Sequence, residues 1–174
     1  MFKNLLPTFK TLEPELLKGQ YAGAYVAQRP VKYTAEGTVY GVATVEKNGA
    51  KFIENGVICG LDADGYVVNY AKTTAGAMFI HYTEELPTIV KANNTFAVEC
   101  KGAETYIRLI ELFVGDEFVT DNVAGTYSDT NKYADITNGI LTFGATGPFV
   151  AEADTLPNGD AAYRFVYTGV KVAE

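Results

Sequence analysis

The sequence predicts an all-β fold, a β-sandwich or barrel, built as one domain or as two small β modules and preceded by a short N-terminal arm and helix. Two observations carry this. Runs rich in Val, Thr, Tyr and Phe recur along the chain, and these side chains favour a pleated, half-buried surface. Turn signals punctuate the runs about every eight to twelve residues, the rhythm of sandwiches and barrels. The 174 residues are 48% hydrophobic and 20% charged, which is enough apolar mass for a core and argues against wholesale disorder.

Residues 1–20 differ from the rest and form the expected arm. Phe2, Leu5, Leu6 and Phe9 are apolar on a segment too short to hold its own core. Leu12 to Lys18 suits a short helix, with Thr11 as cap, Pro14 in the first turn and Gly19 as terminator. Residues 21–110 are read as a β domain. Thr38 to Glu46 is a strand, and Lys47-Asn48-Gly49 turns it back into Lys51 to Glu54. Asn55-Gly56 and Asp62-Ala63-Asp64-Gly65 are further turns around Val57 to Leu61, with Tyr66 to Tyr70 and Met78 to Tyr82 next. Thr95 to Cys100 follows. Thr105 to Val114 fits a helix face or a strand, and its leading Thr, Tyr and Ile favour the strand.

Residues 111–174 form an acidic β module, able to join residues 21–110 in one domain. Phe118-Val119 starts a strand, and Asn122 to Asp135 reads as a long polar loop. Asn138-Gly139 is a turn, with strands at Ile140 to Phe143 and Phe149 to Ala151. Ala161 to Val172 alternates well, with Gly169 marking a bulge. A weak internal echo pairs Phe79-Ile80 and Leu86-Pro87 with Phe149-Val150 and Leu156-Pro157.

The formal charge is −7. Residues 1–110 are neutral, with eleven basic and eleven acidic side chains, so the whole excess lies in residues 111–174. This argues against nucleic acid as a partner, because phosphate binding needs clustered Lys and Arg. The N-terminus shows no continuous apolar stretch of a secretory signal and no segment long enough to span a bilayer, so synthesis in a cytosol and no membrane partner are expected. Asn93-Asn94-Thr95 is then a turn rather than a glycosylation site. Cys59 and Cys100, far apart in a cytosol-made chain, are expected as buried thiols.

The catalytic inventory is thin. The chain has one histidine, His81, and one serine, Ser128, and Ser128 lies in the polar loop GTYSDT rather than on a nucleophile elbow. Four closely spaced Cys or His ligands for zinc are lacking. Asp62-x-Asp64-Gly65 resembles part of a calcium loop, but Ala71 stands where the closing glutamate belongs, so it reads as a β-turn. Asp116, Glu117, Asp121 and Asp129 form a weak candidate for a divalent ion. Phosphate-loop motifs are absent, and so is the Trp that usually leads a sugar platform. The expectation is no enzyme, no cofactor and no metal site. Tyr, at 12 copies, suits interfaces because its ring buries apolar area while its hydroxyl stays satisfiable.

The stretch GQYAGAYVAQRPVKYTAEGTVYGVATV, the later GDEFVTDNV and NGILTFGATGPFVAEADTLPNGDAAYRFVYTGV, the apolar arm and the acidic last third together resemble small virion proteins of tailed bacteriophages. The likeness is to head decoration and accessory capsid proteins and spans most of the chain. It implies a β-rich protein in the virion, made in the host cytoplasm. Such a protein binds the capsid lattice in many copies and reinforces contacts between major capsid subunits. Phe2, Leu5, Leu6, Phe9, Leu12 and Leu16 are the expected anchor on that partner, with the acidic third facing solvent. A head fibre, head–tail joining or tail protein is the alternative within the virion. A carbohydrate-binding β-sandwich module, using Tyr rings and loop carboxylates, is the alternative of another class.

Overall fold

A computed structural model describes residues 9–16, 26–35, 37–70, 76–83, 97–101 and 105–173. Their elements are β1 (Leu12–Leu16), β2 (Val26–Pro30), β3 (Lys32–Tyr33), β4 (Val39–Tyr40), β5 (Val45–Lys47), β6 (Ala50–Glu54), β7 (Ile58–Leu61), β8 (Val67–Asn69) and β9 (Phe79–His81). There follow β10 (Ala97–Glu99), β11 (Tyr106–Glu111), β12 (Glu117–Thr120), β13 (Val123–Ala124), β14 (Tyr133–Thr137), β15 (Ile140–Gly144), β16 (Thr146–Thr155) and β17 (Ala161–Ala173). The described residues are all-β, and none of them is helical.

A seven-stranded sheet runs in the order β1-β12-β17-β16-β14-β15-β13. Its backbone is the hairpin β16–β17, whose register shifts between Gly147 and Phe149, opposite the stretch that holds Gly169. That is the expected bulge, and it gives Pro148 a place where a missing N–H does no harm. Asn138 and Gly139 both adopt positive φ, 49° and 79°, and join β14 to β15. Asn48 and Gly49, at 53° and 77°, do the same for β5 and β6. Such tight primed turns match strand twist, which is why Asn-Gly signals them.

A five-stranded sheet, β2-β11-β9-β7-β8, packs on the first. Its edges meet: Val31, just after β2, forms a parallel bridge with Val67 of β8, so the sheet rolls up on itself. The interior of the roll holds Val31, Cys59, Val67, Phe79, Ile107 and Leu109, closed by Ile53 of β6 from the small sheet β10-β6-β5. The outer face presents Ile58, Ile80 and Ile110 to Phe118, Phe149 and Phe165 of the seven-stranded sheet. One core cluster thus contains residues from both sides of position 110.

Three expectations change. Leu12–Leu16 is a strand, not the start of a helix: it pairs with β12 at Leu12–Thr120, Glu13–Val119 and Leu16–Glu117. Tertiary pairing overrides the local preference, and Pro14 fits because β1 is an edge strand with a register shift between Glu13 and Leu16. The strand expected over Thr38–Glu46 is broken into β4 and β5 at Gly41, where φ is 83° and the Asn69 side chain accepts the Ala43 N–H at 2.8 Å. The loop expected over Asn122–Asp135 contains β13, parallel to β15, and the start of β14.

Candidate functional site

Phe2, Leu5 and Leu6 lie outside the described residues. Phe9 is buried, its ring 4.7 Å from that of Phe52, and Leu12 is fully buried in the core shared with Phe118. Leu16 is placed in β1 opposite Glu117. Phe9 and Leu12 therefore pack against this chain itself and present no surface to a neighbour.

A polar clasp holds the same segment. The Lys10 backbone N–H donates to Glu54 Oε1 at 2.9 Å, and the Thr11 N–H donates to Asp121 Oδ1 at 2.6 Å. The Thr120 hydroxyl donates to the Thr11 carbonyl at 2.6 Å and accepts from the Asn122 N–H at 3.0 Å. Asn122 Nδ2 donates to the Asn55 carbonyl at 2.8 Å, and Asn55 Oδ1 accepts the Thr83 N–H at 2.7 Å. Gly56 sits inside this net with φ 86°, and a Cβ there would meet Thr120 Oγ1 at 2.8 Å. Burial pushes the Glu54 and Asp121 carboxyls above the usual carboxylate range, against the pull of the two backbone N–H groups and of Lys10.

His81 is fully buried beside this clasp. A carbonyl only accepts, so Nδ1 carries the proton and donates to Arg108 O at 2.8 Å, while the Thr83 hydroxyl meets Nε2 at 3.3 Å. Desolvation lowers its pKa to about 4, against the opposing pull of the Arg108 carbonyl. Ser128 sits in a surface turn, accepting the Asn131 N–H at 3.1 Å. The thiols are free: burial pushes Cys59 far up and Cys100 up to about 11, so neither is a ready nucleophile at neutral pH.

The acidic candidates are dispersed. Asp116 is buried and accepts the Phe113 N–H at 2.8 Å, Asp121 serves the clasp, and Glu117 faces Arg164 at 3.9 Å. Among the described residues no group of three or more His, Cys, Asp or Glu side chains converges as a metal site. Asp62 makes the expected turn, its Oδ1 accepting the N–H of Asp64 at 3.0 Å and of Tyr66 at 2.9 Å.

Among the described residues, the exposed large apolar side chains lie near the two ends of β11. At one end, Phe113 and Val114 project from a tight corner, 45% and 68% exposed. Asp116 holds the corner: its N–H donates to Phe113 O at 2.9 Å, and the Gly115 N–H donates to Tyr167 O at 2.8 Å. At the other end are Tyr106 and Tyr40, 57% and 59% exposed. By sequence alone Phe113 and Val114 fall inside the apolar strand expected over Thr105 to Val114. The signal for exposure was the Gly115-Asp116 turn directly after them.

No family model, curated protein or solved structure matches this chain.

Proposed function

We propose that this chain is a structural protein of a phage virion that binds the capsid lattice as a decoration or cement protein. The sequence resemblance supports the virion assignment. The observation that supports a protein contact is the Phe113–Val114 corner: two apolar side chains held out to solvent on a turn fixed by buried Asp116. A fixed knob loses little conformational entropy when it enters a partner's pocket. Burying both side chains contributes about 3–6 kcal/mol gross, at about 1.5–3 each. That is weak for one contact and sufficient for occupancy when a lattice repeats it. The anchor thereby moves from Phe9 and Leu12, which are internal, to the turn before β12.

The test is cosedimentation with shells assembled from the major capsid protein of the source virus. Wild type should bind saturably at a high, fixed copy number. Val114→Asp should weaken binding about tenfold or more, the loss expected for charging a buried apolar contact. Val114 is exposed, so the variant should keep the wild-type circular dichroism spectrum. Binding unchanged by Val114→Asp would overturn the corner as anchor. A stable trimer or ring that ignores shells would place the protein in a fibre or at the head–tail joint.

A further inference from the structure

The opposite end of β11 carries a second surface of different chemistry. Val31 and Ile107 point into the roll, and Tyr33 and Val39 pack against its interior cluster. Alternation therefore turns Pro30, Lys32, Tyr40 and Tyr106 outward. Pairing brings them side by side: Tyr106 stands opposite Pro30, and Tyr40 stands opposite Lys32. The two exposed tyrosines thus stand on opposite edges of the β2–β3 strand, two residues apart along it, roughly 7 Å along and about 10 Å across.

A polar cluster gathers around Lys32, the outward neighbour of Tyr40. The Lys32 ammonium lies 5.4 Å from the centre of the Tyr66 ring. It is also 3.6 Å from Asp62 and 3.9 Å from Asp64. Asp62 is itself immobilised by the Asp64 and Tyr66 backbone N–H groups. Burial pushes its carboxyl up, but the two N–H groups and the Lys32 ammonium together outweigh that and hold it below the usual carboxylate range. The result is two exposed rings beside an ammonium–carboxylate cluster in which Asp62 is held in place.

We propose that this face, Tyr40 and Tyr106 around Lys32, Asp62 and Asp64, binds a neutral oligosaccharide. A pyranose has an apolar face of C–H groups and an equatorial rim of hydroxyls. The rings take the first and the charged groups take the second, as donor and acceptor. A purely apolar partner would desolvate Lys32, Asp62 and Asp64 with only their existing contacts to set against the cost. The two carboxylates match and exceed the lysine charge, so an acidic glycan gains nothing here. Tyr106 opens β11 and Phe113 lies two residues past its end, a separation of roughly 23 Å for seven extended residues. Both surfaces can be occupied together, and the proposal stands whether or not the corner binds a capsid.

The experiment is titration of the full chain with neutral hexasaccharides (gluco-, manno-, galacto- and xylo-oligomers) and with hyaluronan, read by NMR shift and calorimetry. At least one neutral oligomer should saturate, and hyaluronan should not. Tyr106→Ala and Tyr40→Ala should each weaken that binding about tenfold, about 1.4 kcal/mol, because each removes the ring that covers a sugar face. Lys32→Met should weaken it while leaving the spectrum of the fold unchanged. No saturation by any neutral oligomer at millimolar concentration overturns the proposal, as does binding insensitive to Tyr40→Ala and Tyr106→Ala. Preference for hyaluronan overturns the charge argument and with it the ligand class. Val114→Asp serves as control and should bind sugar like wild type.

Discussion

The seven-stranded sheet and the rolled five-stranded sheet share one core cluster but are built from different material. In the first, β12 to β17 follow one another over residues 117–173, and the buried face is aromatic: Phe118, Phe149 and Phe165 meet with centroids 5.8 to 6.4 Å apart. In the second, the strands are drawn from residues 26–111, the interior is mainly aliphatic, and His81 and Cys59 are buried in its strands. The aromatic layer has only packing to lose. The rolled sheet has a protonation state built into it. Stability should therefore respond to side-chain volume in one region and to pH in the other.

The largest effect should come from the aromatic layer. Phe165 is fully buried and stacks on Phe118 at 5.8 Å and on Phe143 at 5.8 Å. Phe165→Ala should cost about 3–5 kcal/mol by lost transfer energy and the cavity left behind. Urea unfolding should show the same loss at pH 5 and pH 7.5. A cost below about 2 kcal/mol would mean the layer collapses onto the gap, and the contrast between the regions would shrink.

The next effect belongs to His81. Its ordinary pKa of 6.5 falls to about 4 in the folded chain because burial disfavours the imidazolium. Between those values the unfolded chain holds a proton that the native chain refuses. Stability is then full above pH 6.5 and falls as the pH drops toward about 4. The full shift corresponds to about 3 kcal/mol at 1.36 kcal/mol per unit. Glu54 and Asp121, with raised pKa values, act in the opposite sense and gain stability as they take up protons. His81→Gln should be less stable than wild type at pH 7.5, because it forfeits packing, yet lose less on acidification. An acid slope unchanged in His81→Gln would move the pH response out of the rolled sheet.

How much of this was legible follows from what each feature depends on. The Asn48-Gly49 and Asn138-Gly139 turns need positive φ, and the residues that tolerate it are written in the chain. The alternation of β17 is equally local. β1 is not: it is a strand because β12 offers it an edge, through contacts such as Thr120 to Thr11 that span 109 positions. Leu12-Glu13-Pro14-Glu15-Leu16 by itself reads as well as a helix start. The apolar character of Phe9 and Leu12 was visible, but whether they bury against Phe52 and Phe118 or against another molecule is a question of three-dimensional partners. Tyr40 and Tyr106 become neighbours of Lys32 only through register, and no spacing in the chain encodes that.

The smallest effect tests whether the clasp on residues 10–11 is held by charge or by shape. Glu54 is buried, and its pKa is raised despite the Lys10 N–H, Lys47 and Lys10 nearby. The net effect of its surroundings on the ionised form is therefore unfavourable, and the group withdraws stability as the pH rises through its folded pKa. Glu54→Gln keeps an oxygen to accept the Lys10 N–H, made at 2.9 Å in the wild type, and removes the desolvated charge. At pH 8 this variant should match or exceed wild-type stability by up to about 1 kcal/mol, whereas Glu54→Ala should lose about 1–3 kcal/mol through the abandoned N–H. The ordering Gln above Glu above Ala, read from urea midpoints at pH 8, identifies the clasp as a hydrogen-bonding device. If Glu54→Gln instead fell as far as Glu54→Ala, the carboxylate charge itself would be holding the segment, through Lys10 and Lys47.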